Sequence, residues 1–352
     1  MGTRGTTVSM KDVAALAGVS VGTVSNVLNS PALVAAPTRA RVEEAIAKLG
    51  WVRNESARQL RAGISRSVGM VVLDITNPFF ADVLTGAEEF VHDHGYSVQL
   101  GNSAGQASRE SAHLELFDQQ RVRGILLTPV GRVGERLVQL RRRGIPTVLV
   151  DRPGADMDCC SVAVDDVEGG RLAVKHLLDQ RYRRIAFVGG PSGLQQVRDR
   201  RSGAERASLE HPSGGQLLTV STRRLDVAGG VTAAEELVAL PDCERPTATF
   251  AANDLVAIGL LQGFVTHGLR VPQDMAIIGY DDIAFAAAAA VPLSSIRQPR
   301  HALGQRAAEL LFEEFDAMDE NREHDHQQVQ FTPELVVRRS TATTPDRSRL
   351  AG

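Results

Sequence analysis

Apolar residues recur at three- and four-residue spacing through the first fifty positions, then from Val68 onward gather into short unbroken runs. The change of period predicts two architectures in one chain, a small helical head and a mixed α/β body. In the head, Val13, Leu16 and Ala17 fall on one helical face behind a Ser9/Asp12 capping pair, and Gly18 supplies the break. Ser20 can cap a second helix with Val24, Val27 and Leu28 on one side. A third runs from about Thr38 to Leu49, with Val42, Ala45, Ile46 and Leu49 inward and Gly50 at its end. Two short helices joined by a glycine-containing turn, with a supporting third, make a helix-turn-helix. Asn54 to Gly63 then allows only two helical turns, too short to be stable alone in water, and the polar stretch Ile64–Ser67 marks a domain boundary.

The body reads differently. V-G-M-V-V-L-D, G-I-L-L-T-P, P-T-V-L-V-D, R-I-A-F-V-G-G, A-T-F-A-A-N-D and M-A-I-I-G-Y-D are strands buried on both faces, and helix-length segments such as Ala81–His94, Gly169–Gln180 and Leu255–His267 separate them. Alternation of that kind predicts parallel sheets. Ligands of open α/β sheets bind at the carboxyl ends of strands, so Asp74, Thr128, Asp151, Asn253 and Asp281 are the first candidates for a site.

Charge sharpens the division. Up to Gly63 the chain has eight basic and four acidic residues, so a whole-chain net charge of −3 leaves −7 for the body. A basic head on an acidic body points to a nucleic-acid partner at one end. Yet Val19–Asn29, the second helix, contains no charged residue at all. Three cysteines, two of them adjacent at Cys159 and Cys160, form neither a disulfide framework nor a metal spacing, and His324-Asp325-His326 reads as a solvated loop. No metal and no cofactor is expected. An N-terminal apolar targeting segment and a membrane-length apolar run are both lacking, which predicts a soluble cytoplasmic protein with no membrane partner. Nor does the sequence contain a P-loop, H-E-x-x-H, G-x-S-x-G or a strand-borne G-x-G-x-x-G, and an enzyme is not expected.

M-K-D-V-A-A-L-A-G-V-S-V-G-T-V-S-N-V-L-N, then S-A-R-Q-L-R, N-P-F-F, F-V-G-G-P, A-N-D-L-V-A-I-G, I-G-Y-D-D and P-L-S-S-I-R-Q-P resemble, in order from about Val8 to Thr341, the lac-repressor (LacI/GalR) family. The resemblance implies an all-α helix-turn-helix headpiece (8–53), a hinge helix and linker (54–67) and a core (68–342) similar to periplasmic binding proteins, followed by a flexible tail (343–352). Three crossings of the chain would make two parallel-sheet subdomains, one of about 68–163 and 293–325, the other of about 164–292 and 328–342. It further implies a transcriptional regulator, most often a repressor, that grips a near-palindromic double-stranded operator as a homodimer. A small effector, a sugar or sugar derivative, would sit between the subdomains; a non-sugar metabolite or corepressor is the alternative.

The resemblance also carries site residues. In the headpiece these are Ser20, Val21, Gly22, Thr23, Ser25, Asn26 and Asn29, with hydroxyls for phosphates or bases and the Asn26 amide for adenine. Val21 and Gly22 stand where relatives place long polar readers, and Asn26 replaces a frequent Arg. In the hinge, Leu60 matches a leucine wedged into the minor groove, flanked by Arg58 and Arg61 near phosphates. In the cleft, Asp151, Arg200, Asn253 and Asp281 are expected as polar ligands, Gln298 in support, and Phe79 and Phe80 as an apolar wall or as plain core. Val227 and Arg300 stand where an aromatic platform can occur, which leaves room for a charged or phosphorylated ligand. Asp165, Asp166 and Asp282 read as caps and turn residues.

Overall fold

Ser9 opens the first helix: its N–H and Oγ both donate to the Asp12 carboxylate at 2.8 and 2.7 Å, and α1 runs Met10–Ala17 until Gly18 turns the chain in the left-handed region. The computed structural model describes residues 8–51, 65–131, 133–154 and 157–342. The hinge expectation at Arg58, Leu60 and Arg61 and the tail from 343 lie outside the described residues. After α1 come α2 (Val21–Asn29), a 3-10 turn at Pro31–Leu33 and α3 (Ala36–Leu49), which starts two residues earlier than the spacing predicts because Pro37 is accommodated in its first turn. Val13, Ala14, Ala17, Val24, Val27, Val42 and Ala45 form the headpiece core. Leu16, expected on that face, is instead 52% exposed; Ala14 takes the buried position.

The second unit spans Ser65 onward and contains two six-stranded sheets. In chain order its first elements are β1 (Ser67–Val72), α4 (Pro78–Asp93), β2 (Ser97–Asn102), α5 (Ala107–Gln119), β3 (Gly124–Leu127), α6 (Gly134–Arg142), β4 (Thr147–Val150) and β5 (Ser161–Val164). Then follow α7 (Asp166–Asp179), β6 (Arg184–Gly189), α8 (Gln195–Glu210), β7 (Gln216–Ser221), α9 (Val227–Val238), β8 (Ala248–Ala251), α10 (Asp254–Thr266) and β9 (Ala276–Asp281). The chain closes with α11 (Ala284–Ala288), β10 (Ser294–Arg297), α12 (Arg300–Asp319), β11 (Gln328–Phe331) and β12 (Glu334–Val336). The sheet orders are β11-β5-β4-β3-β1-β2 and β12-β10-β9-β8-β6-β7. Every pairing is parallel except β10 with β12.

That topology moves two expected boundaries. Ser294–Arg297, assigned by sequence to the first subdomain, lies in the second sheet, while Gln328–Phe331, assigned to the second, pairs with β5 in the first. The crossings therefore fall at about 165, 299 and 333, each just past a strand end. The resemblance implied crossings a few residues away, but hydrogen-bonded strands decide them.

Side chains leave successive strand positions on opposite faces. In the first sheet Met70, Leu126, Val148 and Val150 join the core with α4 and α12, while Val71, Ile125, Leu127 and Leu149 join a second cluster with Leu114, Phe117, Leu137 and Leu140 of α5 and α6. Helix pairs α4/α12, α7/α8 and α9/α10 cross almost backbone to backbone. A Cβ on Gly304 of α12 would overlap the Val83 carbonyl oxygen of α4, and one on Gly203 of α8 would overlap that of Val167 in α7. Among the described residues no helix is long and apolar enough to cross a membrane.

Candidate functional sites

In the headpiece, Ser20 has extended backbone and its Oγ accepts from the Thr23 N–H at 3.0 Å. Its hydroxyl also lies 2.9 Å from the Thr23 hydroxyl. The cap fixes where α2 begins, and so which residues form its leading edge. Val21, Gly22, Asn26 and Asn29 are exposed, Thr23 and Ser25 partly so, and the Asn29 Nδ2 donates to the Ser25 Oγ at 3.1 Å. Val24 and Val27 are buried in the core, as their spacing predicts. The result is an uncharged, short-chained edge at a helix N-terminus, where free N–H groups and the helix dipole favour phosphate oxygens.

In the second unit, strand ends from both sheets face one cavity. It is lined by Leu73, Asn77, Phe79, Phe80, Asp151, Leu194, Gln196, Val197, Arg200, Leu225, Asn253 and Asp281 and holds about 40 Å³. Drug-sized ligand pockets run roughly 300–1,000 Å³, so the cleft in this structure is too narrow for such a ligand. Six of the seven residues expected in the cleft line it. Gln298 stands behind, its Nε2 donating to Asp281 Oδ1 at 2.8 Å.

Local sequence explains the placements. Asn77-Pro78 starts α4: the Asn77 Oδ1 accepts from the Phe79 N–H at 3.0 Å, Pro78 fills the first turn, and Phe79 and Phe80 meet edge to face with centroids 4.9 Å apart. Asn253 caps α10 through Oδ1 to the Val256 N–H at 2.9 Å and donates to the Leu225 carbonyl at 3.0 Å. Asn253 therefore shapes the cleft wall with much of its own hydrogen-bonding capacity. Asp151, just past β4, and Asp281, the last residue of β9, have φ of 58° and 101°, conformations that L-residues other than Asn and Asp rarely adopt.

Electrostatics centre on Arg200, which is 4% exposed. Its Nε donates to Asp166 Oδ1 at 2.8 Å, one Nη to the Ala252 carbonyl at 2.7 Å, and its guanidinium carbon lies 3.7 Å from the Tyr280 ring centroid. The same Nη is 3.8 Å from Asp281 Oδ1. Burial opposes its charge, but Asp166, Tyr280, Asp281 and Asp151 together hold it firmly protonated. Burial pushes Asp281 up to about 6, against the pull of Arg200 and of hydrogen bonds from Asn77 and Gln298. Asp151 is also raised, by burial first and by Asp166 second. Three carboxyl groups crowd one guanidinium, and burial raises two of them, Asp151 and Asp281. Asp151 Oδ1, Gln196 Oε1 and Gln298 Oε1 are buried acceptors without a hydrogen-bond partner, so the cleft is short of donors.

Sequence reasoning missed Asn77, Gln196 and the true place of Asp166. Asn77 reaches Asp281 Oδ2 through Nδ2 at 3.3 Å; the N-P pair was a legible cap signal. Gln196 donates to both the carbonyl and Oδ2 of Asp151 at 2.8 and 2.9 Å, and no local pattern marks it. Asp166, read as a cap or turn residue, is the buried counter-ion of Arg200; the cap of α7 is Asp165, which accepts from the Glu168 N–H at 2.9 Å. Arg300 is also committed: its Nε donates to Asp82 at 2.7 Å and its Nη1 to the carbonyls of Asp281 and Asp282, each at 2.6 Å. Neither Arg300 nor Val227 lines the cavity.

Residues 9–54 match the family of bacterial regulatory proteins, lacI family, and residues 174–341 match a periplasmic binding protein-like domain. The chain is 36% identical over 338 residues to the ribose operon repressor of Escherichia coli K12, covering 94% of this chain and 99% of that protein. It is 32% identical over 337 residues to the HTH-type transcriptional repressor PurR of Aliivibrio fischeri, covering 95% and 98%. A solved structure of a LacI family transcriptional regulator from Enterococcus faecalis V583 with bound ribose matches with a TM-score of 0.69 at 30% identity, over 78% of this chain and 98% of that one.

Proposed function

The chain belongs to the lacI family of bacterial regulatory proteins, and from that premise we propose that it is a repressor whose grip on operator DNA answers to a neutral, hydroxyl-rich ligand of the pentose class. It is a DNA-binding transcriptional repressor and not an enzyme, as its relatives are.

One observation carries the ligand class: the cleft surrounds a single buried guanidinium with three carboxylates and leaves three amide or carboxylate oxygens unpaired. Hydroxyl groups supply the missing donors without adding negative charge. A phosphorylated ligand would bring at least one further negative charge into a buried, already acidic site, which costs far more than a neutral ligand. The apolar wall of Phe79 and Phe80 faces the ring C–H surface, and Asp151, Arg200 and Asp281 face the hydroxyl edge, with Asn253 and Gln298 holding the wall in shape. The relative named for ribose and the ribose-bound structure favour the same class.

On DNA, Ser20, Thr23 and Ser25 contact phosphates or bases, Asn26 reads adenine, Asn29 supports Ser25, and Val21 meets a thymine methyl. Arg58, Leu60 and Arg61 serve the hinge. Two copies bind a near-palindromic site, because one headpiece reads only a half-site. The ligand acts through its different affinity for the open and closed cleft.

A gel shift on the DNA upstream of its own gene, paired with thermal unfolding, tests both parts. Ribose or another free pentose should raise the melting temperature and change the DNA affinity, while its phosphate should do neither. A shift from a purine base with none from any pentose would overturn the ligand class. No retardation of that DNA at low salt, with or without ligand, would overturn the repressor's proposed site.

A further inference from the structure

At the start of β5, a second group of four side chains converges in the core. Cys160 immediately precedes β5, Glu314 is on α12, and His324 and His326 are on the connection that leads from α12 into β11. One sulfur, two imidazole nitrogens and a carboxylate oxygen from these residues all lie within 4.8 Å of one another. Cys160 Sγ is 3.2 Å from His324 Nε2 and 3.6 Å from His326 Nδ1. Zinc bond lengths in a tetrahedron put sulfur and nitrogen about 3.6 Å apart. From this geometry we infer that the core carries a four-ligand site for a divalent ion of the zinc class, formed by Cys160, Glu314, His324 and His326.

Three further observations fit the ion. First, a thiolate and a carboxylate together carry the two negative charges that neutralise it, and a mixed sulfur, nitrogen and oxygen set suits zinc better than magnesium or calcium. Second, Glu314 is 6% exposed and its Oε2 has no hydrogen-bond partner, an arrangement that is costly for a buried carboxyl left to itself. Third, the surroundings orient the ligands. The Gln327 N–H donates to Cys160 Sγ at 3.3 Å, and His326 Nε2 lies 3.4 Å from Asp158 Oδ1. His326 Nε2 makes no hydrogen bond there, so Asp158 supplies nearby negative charge, while the Gln327 N–H fixes the sulfur. The nearby Arg141 is paired with Asp158, so its charge is partly answered.

The ion would staple the α12–β11 connection to β5, just before the last crossing into the second sheet. Its role is to hold that connection, and its binding energy adds to folding.

The test uses the untagged full chain, stripped with a chelator and titrated with Co²⁺ and then Zn²⁺. One Co²⁺ per chain should bind with thiolate-to-cobalt charge-transfer absorption, Zn²⁺ should displace it, and the melting temperature should rise. Cys160→Ser should lose that absorption. His324→Ala, a change in a partly exposed loop, should weaken affinity at least about 10-fold, since even losing a partner beyond the ligands costs 10- to 100-fold. Cys243→Ser, at the exposed cysteine, should change nothing. Absence of cobalt–thiolate absorption in the parent chain would overturn the site, and so would absorption that survives undiminished in His324→Ala.

Discussion

In the first sheet β4 ends at Val150 and passes Asp151 to the cleft; in the second, β9, third in the same strand order, ends on Asp281. Both aspartates have positive φ, and each is held by an amide from the opposite half, Asp151 by Gln196 and Asp281 by Asn77. The helices that follow the equivalent strands β1 and β6 differ completely. α4 brings Phe79 and Phe80, whereas α8 brings Gln196 and Arg200. One architecture, used twice, thus gives an apolar wall on one side and a charged edge on the other. A ligand with a C–H face and a hydroxyl edge fits between them, and strand order alone would not have predicted the asymmetry.

Removing the charge that only the second half supplies should have the strongest effect. Arg200→Met leaves Asp151, Asp166 and Asp281 buried without their cation, and losing one partner of a buried pair costs about 3–5 kcal/mol. Urea unfolding of the core should show that loss, and no sugar should shift the variant's melting temperature. A loss under about 1 kcal/mol would mean that solvent reaches the site and the electrostatic account is wrong.

Titration gives the next effect. Asp281 holds its proton up to about pH 6 in the folded chain, against an ordinary value of 3.8. Between these values the native state binds a proton that the unfolded chain has released. Stability therefore falls as pH rises through this window, by about 3 kcal/mol for the group, and the cost persists above it. Asp151 and Asp254 are raised as well and steepen the trend. Asp281→Asn should flatten the slope by about one proton, read from urea midpoints across the window; an unchanged slope would assign the trend to the other two.

The helix crossings should treat the halves alike. Gly304→Ala drives a methyl into the Val83 carbonyl, and Gly203→Ala drives one into that of Val167; overpacking of this kind costs about 1–3 kcal/mol. Similar losses are expected for both, and a loss in only one would show that the halves do not share the packing their glycines suggest.

Much of this was legible in the sequence where local physics decides the outcome. Ser20 caps α2 and Ser9 pairs with Asp12 as their residue types suggest, and apolar runs became strands because a two-sided sheet needs no alternation. Asp151 and Asp281 were visible as strand-end acids, and the resemblance named Arg200. Gln196, Asp166 and the Cys160 cluster were not legible, because each acts on a partner 34 to 166 residues away. The subdomain boundaries failed for a related reason: β10 and β11 are four-residue strands, and their sheet is chosen by pairing, which no local pattern records.

The two amide clamps give the smallest and most discriminating test. Gln196 makes two hydrogen bonds to Asp151, at 2.8 and 2.9 Å, whereas Asn77 makes one to Asp281, at 3.3 Å. Hydrogen bonds to charged groups contribute about 1.5–3 kcal/mol and long ones less, so the closed cleft leans harder on the clamp from the second half. Gln196→Leu should open the ligand-free core measurably, as a larger radius of gyration in solution scattering, and weaken ligand affinity about tenfold. Asn77→Ser keeps a capping oxygen for α4 but cannot reach Asp281, and should change both readings by less. Were the order reversed, Asn77 would be the stronger latch and Asp281, not Asp151, the residue whose capture closes the cleft.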